Sequence, residues 1–134
     1  LIKMELSINQ SIDRDTLENI FVTALEGGSN YWYYLPVEAI LAIREAVPKS
    51  VDPYLSTAIL KAILDHNVDV KVCDAEDETE VVGIISKSTM QERLQKMWNS
   101  PNREILQAEI DGEGDADTSD VVFQYMAMGE VIYG

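Results

Sequence analysis

The sequence predicts an α+β fold: a single domain over residues 1–134, with a small, mostly antiparallel sheet packed against about five or six helices. Three observations carry this. Apolar residues alternate with polar ones at Ile2–Ile8 and again at Val68–Cys73, the period-two signature of half-buried strands, and Val81–Ile85 adds a β-branched run. Between and after these runs, apolar residues recur at helical spacing. With 134 residues, 46% apolar and 25% charged, the chain has a globular composition, and its size buries roughly two thirds of the unfolded surface. No repeat, linker or low-complexity segment divides it.

Ile2, Met4, Leu6 and Ile8 mark an opening strand with one buried face. Asp15 with Glu18 three residues on reads as a helix start. Leu17, Ile20, Phe21, Ala24 and Leu25 form its stripe, and Gly27-Gly28 are expected to end it in the left-handed conformation. Pro36 opens a second helix near residues 37–47, with Val37, Ile40, Leu41 and Val47 on one side. Asp52-Pro53 supplies a cap and a first helical position for a third, lined by Leu55, Ile59, Leu60, Ile63 and Leu64 to about His66. Val68, Val70 and Val72, then Val81–Ile85, read as a hairpin whose loop is the acidic Asp74–Glu80. Ser88 and Gln91 suggest a capping box for a helix facing inward through Met90, Leu94, Met97 and Trp98. A short helix near residues 103–110 follows. Asp117 and Asp120 repeat the box logic before Val121–Met128, apolar almost all round and so expected at the centre of the core. Glu130–Tyr133 reads as a last short strand.

The charge narrows the function classes. Ten Lys and Arg against 24 Asp and Glu give −14. That balance argues against binding a nucleic-acid backbone, where cations must displace counterions, and against docking on an anionic membrane. The excess is localised: Ile105–Gly134 carries seven acids and no Lys or Arg, and Asp74–Glu80 carries five more acids. One cysteine, Cys73, leaves no intrachain disulfide and no multi-cysteine metal site. Without a membrane-length apolar run or a leader-like start, the expected location is the cytoplasm.

The strongest candidate site is Glu26-Gly27-Gly28-Ser29-Asn30-Tyr31-Trp32-Tyr33-Tyr34. Tyr and Trp offer flat apolar area with a hydrogen-bonding edge, and glycines let a ligand approach the backbone. Four adjacent aromatics cannot all face inward from one strand, so some are expected at the surface. The Gly-Lys-Ser/Thr ending of a phosphate loop is absent. Glu109–Asp120, laid on a calcium-binding loop, places acids at positions 1, 3, 5, 7, 9 and 12. Glu at position 1, Asp at position 12 and Ala116 at position 8 all depart from that pattern. A solvated loop with helix-capping acids is the simpler reading, leaving Asp115, Asp117 and Asp120 as weak candidates for a divalent cation. His66 is expected to sit at a helix end and Cys73 to be a strand thiol; neither belongs to a nucleophile motif.

Two segments resemble a known group. Glu26–Tyr33 after an amphipathic helix, with Asp115–Gln124 and Gly129–Gly134, is similar to the two hallmarks of a group of small bacteriophage and prophage proteins, in order and spacing. Ser119 stands where glycine or alanine is frequent in that group, and Met128 where an aromatic is. The resemblance implies an accessory protein acting inside a bacterial cell, and it brings no catalytic residues. The two hallmarks are expected to meet in space, with the Gly27–Asn30 turn near Asp117.

The favoured expectation is a non-enzymatic binding or interaction module. Tyr31, Trp32, Tyr33 and Tyr34, with Asn30 and Glu26 as polar contacts, would hold a host or phage protein, basic in character, or a small ligand. The alternatives are a small carboxylate- and metal-dependent hydrolase using Glu26, Asp115, Asp117 and Asp120, or a structural phage component.

Overall fold

A computed structural model describes residues 2–7 and 10–134. The fold is α+β, as expected, with two small antiparallel sheets and six α-helices among these residues. Strand β1 (Lys3–Ser7) pairs with β2 (Gln10–Asp13), bringing Met4 opposite Ile12. Met4, Leu6 and Ile12 are buried, and Ile8 lies outside the described residues. The three-stranded sheet has the order β3 (Tyr33–Tyr34), β4 (Val70–Asp74), β5 (Val81–Ile85). Its β4–β5 hairpin is the expected one, with the acidic loop as its turn.

Helix α1 (Arg14–Thr23) starts earlier than expected. The strand ends at Asp13, whose carboxylate accepts the Thr16 N–H at 2.8 Å and so caps the helix two residues before Asp15. Its stripe is buried as expected. Helix α2 (Val37–Ala46) turns Ala39 and Ile43 inward, followed by Val47. Val37 and Leu41, expected inside, stand 64% exposed. Helix α3 (Leu55–His66) begins after Tyr54 rather than at Pro53. Buried Asp52 turns back instead of capping: it accepts from the Tyr54 N–H (3.0 Å), the Thr57 hydroxyl (2.5 Å) and the Lys61 ammonium (2.9 Å). An Asp bonding the N–H two residues on makes a turn of its own before the helix.

Helix α4 (Lys87–Trp98) follows β5 after the single residue Ser86, and its capping box is Ser86 with Thr89, not Ser88 with Gln91. Gln91 has another role. Its side-chain oxygen accepts the Glu5 N–H and its amide donates to the Glu5 carbonyl, which pairs backbone groups on the free edge of β1. Helix α5 is Arg103–Ile110 and α6 is Ala116–Met128. The α6 box is Asp115 with Thr118, which leaves Asp117 in the first turn and carries Asp120 round to the inner face.

Helix α6 is central, packing on α1, α4, α5 and β5. Both its ends rest on glycines. A Cβ at Gly28 would stand 2.4 Å from the Ala116 carbonyl oxygen, and one at Gly83 would stand 2.2 Å from that of Ala127. Any side chain at either position pushes the helix off its seat. At the far end the Arg93 guanidinium donates to the Met126 and Ala127 carbonyls (2.9 and 2.8 Å) and to Ile84 (2.8 Å), satisfying groups that a helix end leaves orphaned.

Candidate functional site

Helix α1 runs on into a π-helical turn, Ala24–Gly28, in which the Ser29 N–H reaches back to the Ala24 carbonyl. This corrects the expected left-handed end: neither Gly27 nor Gly28 has a positive φ. Gly28 is required by the close approach of Ala116, whereas a Cβ at Gly27 would meet nothing within 4 Å. The wider turn swings Ser29 inward and leaves Glu26 and Gly27 at the surface.

The aromatic segment and the C-terminal acidic segment meet at one carboxylate. Asp120, 7% exposed, accepts from the Ser29 hydroxyl (2.7 Å) and the Trp32 indole N–H (2.7 Å) on one oxygen. Its other oxygen accepts from the Tyr31 hydroxyl (2.6 Å) and the Gln124 amide (3.2 Å). Burying a carboxylate is tolerated where hydrogen-bond donors replace its water, and here four do. The Tyr31 phenol is pushed up to about 12 by burial of its hydroxyl end and by its bond to Asp120. Its ring meanwhile leaves the residue 53% exposed.

Trp32 is buried and stacks on Tyr133, with centroids 5.0 Å apart and planes 10° from parallel. The Tyr133 hydroxyl donates to Asp74 at 2.6 Å, which raises the phenol to about 12 and holds the Asp74 carboxyl below its ordinary value. Glu130–Tyr133 is therefore not a strand. Its backbone partners are on the side chain of Gln124, whose oxygen accepts from Ile132 and Tyr133 N–H (2.9 Å each) and whose amide donates to the Tyr133 carbonyl (3.1 Å). Gln124 is fully buried in an apolar helix face and was missed by pattern reading; a lone amide inside such a run was the available signal.

The four aromatics divide as expected. Trp32 goes inside, Tyr33 and Tyr34 are half-buried, and Tyr31 is exposed with Asn30. Tyr33 meets Trp32 and Phe123 edge-on and donates its hydroxyl to the Leu25 carbonyl at 2.6 Å. Beside it a cleft of about 280 Å³ opens between the π-turn and the start of α3. Leu25, Leu35, Ser56 and Ile59 are its buried lining; Glu26, Pro53 and Tyr54 are exposed at its rim, with Tyr33 and Leu55 half-buried between. The buried Ser56 hydroxyl donates to Glu26 at 2.5 Å and holds that carboxylate against the cleft. Burial raises the Tyr33 phenol, and the charge of Glu26 adds to it. A larger cleft of about 470 Å³, between β1 and the start of α4, is lined by none of the candidate binding or cation residues.

The weak cation candidates are not brought together. Asp115 is spent on the Thr118 N–H (2.9 Å), which holds its carboxyl below the ordinary value, Asp117 is exposed, and Asp120 points into the aromatic network. Glu109, first position of the calcium-loop alignment, is buried and accepts from the Thr118 and Ser119 hydroxyls (2.7 and 2.9 Å). Ser119 thus has a partner that glycine or alanine there would lack. Among the described residues no group of three or more His, Cys, Asp or Glu is placed to hold a metal ion. His66 is exposed at the end of α3, and Cys73 is buried, its thiol pushed up by that burial. Among the described residues no helix is long and apolar enough to cross a membrane.

Comparison with protein-family models, with curated proteins and with solved structures gives no match to this chain.

Proposed function

We propose that the chain is a phage-type accessory protein of the bacterial cytoplasm that works as a non-enzymatic binding module, holding a host or phage protein on the surface formed by Glu26–Tyr34. The observation that carries this reading is how the segment divides. Ser29 and Trp32 are consumed by Asp120, which fixes the loop to α6. Glu26, Asn30 and Tyr31 are left at the surface, with half-buried Tyr33 beside them at a cleft with an apolar lining. Rigid aromatic rings next to a preformed cleft lose little entropy on binding, the property of interface hot spots. The charge of −14 supports a basic partner through long-range steering.

A pull-down from bacterial lysate at low and at high salt tests this, with wild type compared against Asn30→Arg. Asn30 is exposed and accessible to substitution without entering the buried network. The expected result is a retained protein that is lost in the variant and weakened by salt. Retention of the same set by both proteins at both salt concentrations overturns the reading.

A further inference from the structure

We infer that the cleft between the π-turn and α3 takes an arginine side chain of a basic protein partner, with Glu26 as its counter-ion and Tyr33 and Tyr54 as its aromatic walls. The inference rests on the binding-module reading and gives that surface its ligand chemistry. Among the described residues Glu26 is the single charged group lining this cleft, and no Lys or Arg lines it. Among the described residues the ion pairs are Lys3–Glu5, Arg14–Asp65 and Lys61–Asp52, and Glu26 belongs to none of them. Its carboxylate is nevertheless held in place, because the Ser56 hydroxyl engages one oxygen while the other accepts nothing among the described residues. A positioned carboxylate without an internal cation is complementary to an external one.

The shape of the lining selects among cations. Tyr54 stands 69% exposed at the rim, its backbone held by the N–H bond to Asp52 and its ring bare to a ligand. Tyr33 is braced by Trp32, Phe123 and its hydroxyl bond to Leu25. Guanidinium is planar, stacks on such rings and is weakly hydrated, whereas ammonium is compact and strongly hydrated. The methylene stem of arginine would lie along Leu55 and Ile59, the apolar part of the lining. An anion is disfavoured by Glu26, and a neutral apolar ligand leaves the carboxylate without a counter-ion.

The test uses a short acetylated, amidated Leu-Arg-Leu peptide and its citrulline counterpart, which keeps the shape and removes the charge. Backbone amide shifts are followed by NMR in wild type, Glu26→Gln and Tyr54→Ala. The arginine peptide is expected to shift amides at Leu25–Leu35 and Tyr54–Ile59. Citrulline, or Glu26→Gln, is expected to weaken binding about tenfold, the loss of one partly exposed charge contact on an aromatic wall. Tyr54→Ala, an exposed truncation, is expected to weaken the arginine peptide and leave thermal stability unchanged. Equal binding of both peptides, undiminished binding to Glu26→Gln, or shifts confined to the Asp74–Glu80 loop overturns the inference. So does the absence of any shift; the binding-module reading then stands or falls separately on the Asn30→Arg pull-down.

Discussion

Truncating Asp120 removes the acceptor on which the aromatic segment and α6 converge. Its four donors are unequal. The Ser29 hydroxyl and Trp32 indole N–H are buried and have no other acceptor among the described residues. Gln124 keeps the Tyr133 carbonyl, and Tyr31 is exposed enough to turn to water. In Asp120→Ala two buried donors are stranded at about 1–3 kcal/mol each, so the expected destabilisation is about 2–6 kcal/mol. That is a large part of the roughly 5–15 kcal/mol that holds a domain of this kind together. In Asp120→Asn the amide oxygen can still serve Ser29 and Trp32, while its NH₂ faces the Tyr31 hydroxyl, which can rotate to accept, and the Gln124 amide, which loses this acceptor and keeps the Tyr133 carbonyl. The cost falls to about 1–2 kcal/mol, the difference between charged and neutral acceptors.

Urea unfolding followed by tryptophan fluorescence reads both variants, with the slope checked for constancy so that the midpoint shift reports stability. Trp32→Phe removes one stranded donor in advance, so Asp120→Ala should cost about 1–3 kcal/mol less in that background. An Asp120→Ala cost below about 1 kcal/mol, or a cost equal to that of Asp120→Asn, refutes the argument that this carboxylate satisfies the buried donors.

Gly28→Ala should destabilise by about 1–3 kcal/mol, because its Cβ meets the Ala116 carbonyl, while Gly27→Ala should be neutral or slightly stabilising; thermal midpoints read both, and a cost at Gly27 as large as at Gly28 contradicts this. Tyr31 and Tyr133 hold their protons to about 12 when folded and to about 10 when unfolded. Between those values the unfolded chain binds fewer protons, so stability present below pH 10 falls as pH rises through the window. Denaturant midpoints against pH should show the fall, and Tyr31→Phe with Tyr133→Phe should flatten it. On the acid side the Asp13 and Asp65 carboxyls are lowered, by the Thr16 backbone N–H and by Arg14 respectively, so their contribution is present above the ordinary carboxyl value and is lost as pH falls through their folded values. Arg14→Gln should shrink that acid limb. Millimolar Ca²⁺, Mg²⁺ or Mn²⁺ should leave the thermal midpoint and Trp32 fluorescence unchanged, since Asp115 and Asp120 are already bonded; a saturable rise in the midpoint contradicts this.

What the sequence made legible, and what it hid, follows from the range over which each signal acts. The stripes of α1, α4 and α6 were readable because burial repeats with the helix period, and no distant contact is needed to see it. The starts of α1, α4 and α6 were each misplaced by two residues for one reason. Asp13, Ser86 and Asp115 each stand where the preceding strand or loop ends, and in each case a second acid or hydroxyl a few residues on offered an equally good local cap. Local chemistry could not choose between them; the position of the strand did. The exposed Val37 and Leu41 mark the same boundary, since a short helix with apolar residues on more than one side is oriented by its neighbours.

The acidic segment shows the limit most sharply. Six acids in a register resembling a cation loop suggested one shared role, yet the fold separates them by direction. Asp115 serves the helix start, Glu109 holds the hydroxyls of Thr118 and Ser119, and Asp120 faces the opposite hallmark. The 12-residue spacing of a cation loop has meaning only if the backbone curls round a centre, and α6 begins inside this segment, straightening it from Ala116 onward. In the aromatic segment the residues offered as one binding surface serve two purposes for the same reason: the turn directs Ser29 and Trp32 to the buried Asp120 and leaves Glu26 and Asn30 exposed. Trp32 and Ser29 anchor the loop, and that anchoring is what leaves Glu26, Tyr31 and Tyr33 presented in fixed positions. The buried half of the motif thus supplies the preorganisation on which binding by the exposed half depends. A variant that loosens Asp120 should therefore weaken arginine-peptide binding at Glu26 without touching the cleft.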